Sequence, residues 1–110
     1  MIYELRIYTA NPGKMEALHA RFRDHTRGIF ERHGIKSVGY WVQTEPETGA
    51  GDLIYIVAHP DREAAAAAWT AFRADPEWIA VKSASESDGT TLAAKVTSQF
   101  MEPTDYSALQ

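Results

Sequence analysis

Cysteine is missing from this chain of 110 residues, and its absence removes disulfides, thiolate nucleophiles and cysteine-built zinc sites together. A basic surplus is missing too. The 11 Lys and Arg are interspersed with 15 Asp and Glu, for a formal charge of -4, which excludes the positive footprint that nucleic acid demands. No segment approaches the roughly 18 consecutive apolar residues of a membrane span. The start, Met1-Ile2-Tyr3-Glu4-Leu5-Arg6, has no basic region ahead of an apolar run, so no targeting segment and a cytoplasmic location are expected. The four histidines form no H-x-x-x-H pair and lack a surrounding acidic cluster, so neither a metal site nor a cofactor is expected. No repeat period or composition shift divides the chain. One domain spanning 1–110 is expected.

What is present is strong periodicity. Ile2 to Thr9 alternates as a strand, with Tyr3, Leu5 and Ile7 on one side and Glu4, Arg6 and Tyr8 on the other, until Asn11-Pro12-Gly13 breaks it. From Lys14 to His33 the apolar residues Met15, Leu18, Phe22, Ile29 and Phe30 recur at helical spacing opposite a solvated charged face, and Gly34 closes the helix. Gly34 to Thr44 reads as a second strand, apolar on both parities: Ile35, Gly39 and Trp41 on one, Val38, Tyr40 and Val42 on the other. The turn formers of 45–51 suit an exposed hairpin loop, and Asp52 to Ala58 is a third strand, apolar at nearly every position. Asp61 is placed to cap a helix running through the five alanines to its anchors Trp69 and Phe72. Asp75 and Pro76 start a further helical piece whose buried side is expected to be Trp78, Ile79 and Val81. A loop over Ser83 to Thr90 leads to a fourth strand from Leu92 to Met101.

This order predicts an α+β, ferredoxin-like βαββαβ antiparallel sheet with its helices on one face. The helices can cover only one side of strands two and three, yet both sides are apolar. A second copy of the sheet is the economical cover, which predicts a homodimer.

Candidate chemistry is sparse. His25 lies three residues after Phe22 and four before Ile29, so it is expected to point inward; it reads either as a general base or ligand contact or as a hydrogen-bonded core-edge histidine. His33 suits a helix C-terminus, and His19 and His59 read as exposed or loop-edge. Trp41, Tyr55 and Trp78 could wall a pocket for an aromatic small molecule, or simply pack the core. Arg6 shares a strand side with Glu4. If that side is the dimer face the two must pair, and the sharper reading of Arg6 is an anion-binding residue.

Four motifs in order then coincide: Arg6-Ile7-Tyr8-Thr9 followed by Pro12-Gly13-Lys14, Val38-Gly39-Tyr40-Trp41, Asp75-Pro76-Glu77-Trp78, and the closing Pro103-Thr104-Asp105-Tyr106-Ser107. Together they resemble the NIPSNAP family over nearly the whole chain. The resemblance implies a dimeric α/β-barrel, two ferredoxin-like sheets joined across their helix-free faces. It also implies a small-molecule-binding protein or a non-catalytic stress or interaction module. The alternative is an enzyme similar to the cofactor-independent monooxygenases of related barrels, acting on an aromatic small molecule, although none of their catalytic motifs can be placed here.

Overall fold

Four strands and their helices follow in the expected order in the computed structural model, which describes residues 1–45 and 52–110. Strand β1 (Ile2–Ala10) leads through α1 (Met15–Arg21), a π-helical turn (Phe22–Thr26) and α2 (Arg27–Arg32) to β2 (Lys36–Val42). Then come β3 (Leu53–His59), α3 (Arg62–Ala74), α4 (Pro76–Ser85) and β4 (Ala93–Met101). The expected hairpin loop falls almost wholly at 46–51, outside the described residues.

The sheet is antiparallel, in the order β2-β3-β1-β4. Residues opposite one another share a face, so the register sorts the sheet into two surfaces. Glu4, Arg6 and Tyr8 lie beside Val57, Tyr55 and Leu53 on one side and beside Phe100, Ser98 and Val96 on the other. That face meets the helices, since Tyr55 packs edge-on to Phe22 and Trp69 reaches Glu4. The opposite face carries Leu5 and Ile7 beside Ile56 and Ile54, with Gly39 and Trp41 on β2. Among the described residues no helix crosses it. The two faces therefore differ as the strand periodicity requires, but Glu4 and Arg6 belong under the helices and not on the helix-free side.

Local chemistry explains the boundaries. Gly34 adopts φ +76, a conformation that costs a residue with a Cβ, and so turns the chain out of α2 into β2. The Asp61 side chain accepts the Ala64 N–H at 2.7 Å and caps α3, while Asp75 accepts from Glu77 and Trp78 N–H with Pro76 at the first position of α4. The core lies between sheet and helices, where Leu18, Phe30, Ile35, Tyr55, Val57 and Leu92 are each at most 1% exposed.

Three expectations are overturned. The first is a straight helix from Lys14 to His33: the stretch widens at Phe22–Thr26, where Arg27 N–H bonds the Phe22 carbonyl five residues back. Thr26 donates its hydroxyl to the Arg21 carbonyl at 3.2 Å, filling part of the widened turn. A wider turn takes more residues per revolution, so the three-residue step from Phe22 falls short of the apolar stripe and the four-residue step lands on it. Thr26 is thereby buried and His25 is exposed, not directed inward.

The second concerns β2, expected to carry Ile35 on one side together with Gly39 and Trp41, whereas Ile35 is buried in the core and Gly39 and Trp41 lie on the helix-free side. The strand is an edge strand, and a register shift between Ser37 and Gly39 makes Val38 a bulge residue. Trp41 is 51% exposed within the chain and lies across Gly39, where a Cβ would sit only 2.6 Å from its ring. The third is α4. It runs on to Ser85 through part of the expected loop, none of its residues is fully buried, and Ile79 is 54% exposed, because α4 stands over an open cleft rather than lying on the sheet.

Candidate functional site

Beneath α4 opens a cleft of about 930 Å³. Its walls come from four separate segments. β1 contributes Arg6 and Tyr8; α1 and the π-helical turn contribute Arg21, Phe22 and Thr26; α3 contributes Trp69, Phe72 and Arg73; α4 and the residues after it contribute Trp78, Ile79, Lys82 and Glu86. The aromatic rings are mutually braced: Phe72 lies 4.7 Å from Trp78 and 5.7 Å from Trp69, and Tyr8 meets Phe22 edge-on at 5.6 Å.

The floor is a polar network rooted in Glu4, which is 2% exposed. Its carboxylate accepts from Trp69 Nε1 at 2.7 Å, Ser98 Oγ at 2.5 Å, His59 Nε2 at 3.0 Å and Arg6 NH1 at 3.1 Å. Burial alone would raise the Glu4 pKa, but the bonds from Ser98, Trp69 and His59 and the Arg6 charge outweigh it and hold the group below its ordinary value. Glu4 is an anion here. His59 is 1% exposed and fixed on that anion, which corrects its reading as an exposed or loop-edge residue: it shares the inward parity of Tyr55 and Val57 on β3.

Arg6 carries the network toward the cleft. Its Nε donates to Tyr55 Oη at 2.8 Å, NH2 donates to Tyr8 Oη at 3.4 Å, and the guanidinium lies 4.3 Å over the Trp69 ring. Burial opposes the Arg6 charge, but the Tyr55 and Tyr8 oxygens more than compensate, so it is held above its ordinary pKa. Burial pushes the Tyr55 phenol well above its ordinary range. Tyr55 therefore keeps its proton and donates it to Tyr8 Oη at 3.2 Å.

On the wall, Arg21 is 6% exposed; its NH1 donates to Ser85 Oγ at 3.1 Å and Glu86 Oε2 at 3.2 Å, and its head lies 5.0 Å over Trp78. Glu86 is also held by Lys82 at 2.6 Å. Arg21 Nε, by contrast, is buried with no acceptor among the described residues. His33 lies away from the cleft at the end of α2, as a helix C-terminal residue, with Nε2 at 2.6 Å from Asp75, which Arg32 also reaches at 2.6 Å.

Of the residues singled out in the sequence, the structure brings Arg6, Tyr55 and Trp78 together, Arg6 and Trp78 lining the cleft and Tyr55 buried behind Tyr8. Trp41 is on the opposite face of the sheet. His25 borders a separate, shallow depression with Ala17, Ala80 and Ala84. Tyr8 and Arg21 escaped the sequence reading. Tyr8 was signalled by the two-residue period that joins it to Glu4 and Arg6, whereas Arg21 sits among charged residues of an amphipathic helix and carries no such mark. Among the described residues no group of three metal-capable side chains gathers, and no helix is long and apolar enough to cross a membrane.

No curated protein matches the sequence. Solved structures do. A NIPSNAP-family protein with unknown function from Agrobacterium tumefaciens superposes with a TM-score of 0.81 at 25% identity, covering 100% of this chain and 94% of that one. A second NIPSNAP-family protein from the same organism gives 0.83 at 23% identity, covering 99% and 98%. An antibiotic biosynthesis monooxygenase shares the fold more distantly, with a TM-score of 0.56 at 14% identity over 94% of this chain and 99% of that one. The NIPSNAP family pattern itself matches residues 3–108, and the chain accordingly belongs to the NIPSNAP family.

Proposed function

We propose that this protein is a cytoplasmic, homodimeric binder of small planar aromatic molecules, held in the cleft beneath α4. The observation that carries the reading is the cleft itself: about 930 Å³ of space walled by Tyr8, Phe22, Trp69, Phe72 and Trp78 over a charged, hydrogen-bonded floor. Concave sites with aromatic walls and a few fixed polar groups are what small-molecule recognition requires. Binding is favoured over turnover by what lines the space. No histidine faces it, and its carboxylate, Glu86, is already engaged by Arg21 and Lys82, so no free base stands ready for proton abstraction.

Dimerisation is supported by the helix-free face, where Leu5, Ile7, Ile54 and Ile56 form a continuous apolar surface flanked by the half-exposed Trp41. A second copy of the same face is its self-complementary cover.

Titration of tryptophan fluorescence with neutral planar aromatics such as 2-naphthol tests the binding reading, since Trp69 and Trp78 both line the cleft. Saturable quenching is expected, and it should vanish in Ser83→Trp, which places an indole in the cleft from an exposed helical position. Quenching that never saturates up to millimolar ligand, or that survives Ser83→Trp, refutes the reading.

A further inference from the structure

The donors facing the cleft identify the class of molecule it takes, an inference that rests on the ligand-binding reading above. Tyr8 Oη accepts two hydrogen bonds, from Tyr55 and from Arg6, and neither neighbour offers it an acceptor. Its own O–H is left to donate, and Tyr8 lines the cleft. Donors converging on a phenol oxygen withdraw electron density from it and make its remaining proton a stronger hydrogen-bond donor. Arg21 also lines the cleft, its NH1 held by Ser85 and Glu86.

Charge points the same way. Arg6, Arg21, Arg73 and Lys82 line the cleft against one carboxylate, Glu86, on a chain whose net charge is -4. Arg6 is neutralised from behind by Glu4, and Glu86 offsets one of the others, so a positive surplus remains. Arg73 makes no ion pair or hydrogen bond among the described residues and stands at the cleft as an open cation. A positive concavity on an acidic protein concentrates anions.

We propose that the cleft selects aromatic carboxylates, the ring lying against Trp69, Phe72 and Trp78 and the carboxylate accepting the Tyr8 O–H. Tyr8 is the specificity-determining donor, and Arg73 steers the anion inward. A site that aims donors at a ligand's charged end discriminates strongly against an isostere lacking that charge.

The test compares 2-naphthoate with 2-naphthamide, which has nearly the same shape and no charge. Calorimetric titration of the intact protein is expected to give naphthoate at least tenfold tighter binding. Tyr8→Phe, checked for folding by its melting curve, should cut naphthoate affinity by roughly 10- to 100-fold, as expected for a lost bond to a charged group, and leave naphthamide within about threefold. Arg73→Gln, at an exposed position, keeps the test alive if Tyr8→Phe is unstable; it should weaken naphthoate several-fold, with the loss shrinking in high salt. Equal binding of the two probes, or a preference unchanged in both variants, overturns the carboxylate assignment while leaving the cleft a binder of neutral aromatics. Binding of neither probe, nor of 2-naphthol, removes the binding reading and this inference with it.

Discussion

Removing the Glu4 side chain isolates the network on which the cleft floor stands. Four donors converge on that carboxylate, from Trp69, Ser98, His59 and Arg6, and the group is 2% exposed. Glu4→Ala deletes every acceptor at once. Breaking a buried ion pair by removing one partner costs about 3–5 kcal/mol, and the indole N–H of Trp69, left without an acceptor, adds about 1 kcal/mol or more. Shared surroundings make these losses less than additive, so about 4–6 kcal/mol is expected in total. Since domains of this size have about 5–15 kcal/mol of stability, Glu4→Ala should be largely or wholly unfolded at modest urea. Glu4→Gln keeps the volume and one oxygen but turns an amide NH₂ toward donors and strips Arg6 of its counter-charge; about 2–4 kcal/mol is expected, intermediate between Ala and wild type. The assay is urea unfolding followed by far-ultraviolet circular dichroism at several protein concentrations, with the slope compared between variants to verify that the same transition is measured. A Glu4→Ala midpoint corresponding to less than about 1 kcal/mol of loss would refute the network as a structural element. Equal losses for Ala and Gln would show that the negative charge, rather than the acceptor geometry, is what matters.

Acid should destabilise the protein through the same group. Glu4 and Asp75 both have folded-state pKa values below their ordinary ones, so their contributions are complete above the unfolded values near pH 4 and disappear as pH falls through the folded values; melting temperatures should fall steadily below about pH 4.5, and Glu4→Gln should flatten part of that slope. Trp41→Ala, on the half-exposed helix-free face, should act on association before folding, and light scattering should find more monomer in the variant than in wild type at equal micromolar concentration; an unchanged dimer population contradicts the assigned interface. His25→Gln should change stability by no more than about 0.5 kcal/mol and leave naphthoate binding untouched, because His25 is exposed and outside the cleft; a loss above about 1.5 kcal/mol in thermal melts would show that the π-helical turn does not set its direction. Phe72→Ala, between Trp69 and Trp78, should cost about 3–5 kcal/mol by the same unfolding assay, and a loss under about 1 kcal/mol would show that the aromatic wall is not packed as described.

Much of the fold follows from short-range rules that operate on the sequence alone. The two-residue period separates Leu5 and Ile7 from Glu4, Arg6 and Tyr8, the three- and four-residue period marks Leu18, Phe22, Ile29 and Phe30, and Asp61, Asp75 and Gly34 place helix ends through chemistry acting within one turn. The pairing of Glu4 with Arg6 is also local, two residues along one strand face. What the period could not supply was the π-helical turn. Its one added residue per turn is invisible to an apolar pattern that resumes in phase at Ile29, yet it decides that Thr26 is buried and His25 is exposed. Strand order was equally undetermined: an apolar β2 reads the same in the middle of a sheet or at its edge, and only pairing with β3 alone put Trp41 half in solvent. The cleft is the extreme case. It draws Tyr8, Arg21, Trp69 and Glu86 from segments far apart in sequence, and each residue alone looks like an ordinary strand aromatic, a solvated helix charge, a core anchor or a loop acid. Sequence sets which face each side chain takes on its own element, because that is fixed by backbone geometry over a few residues; only tertiary packing sets which faces meet, because that depends on contacts between elements that share no local rule.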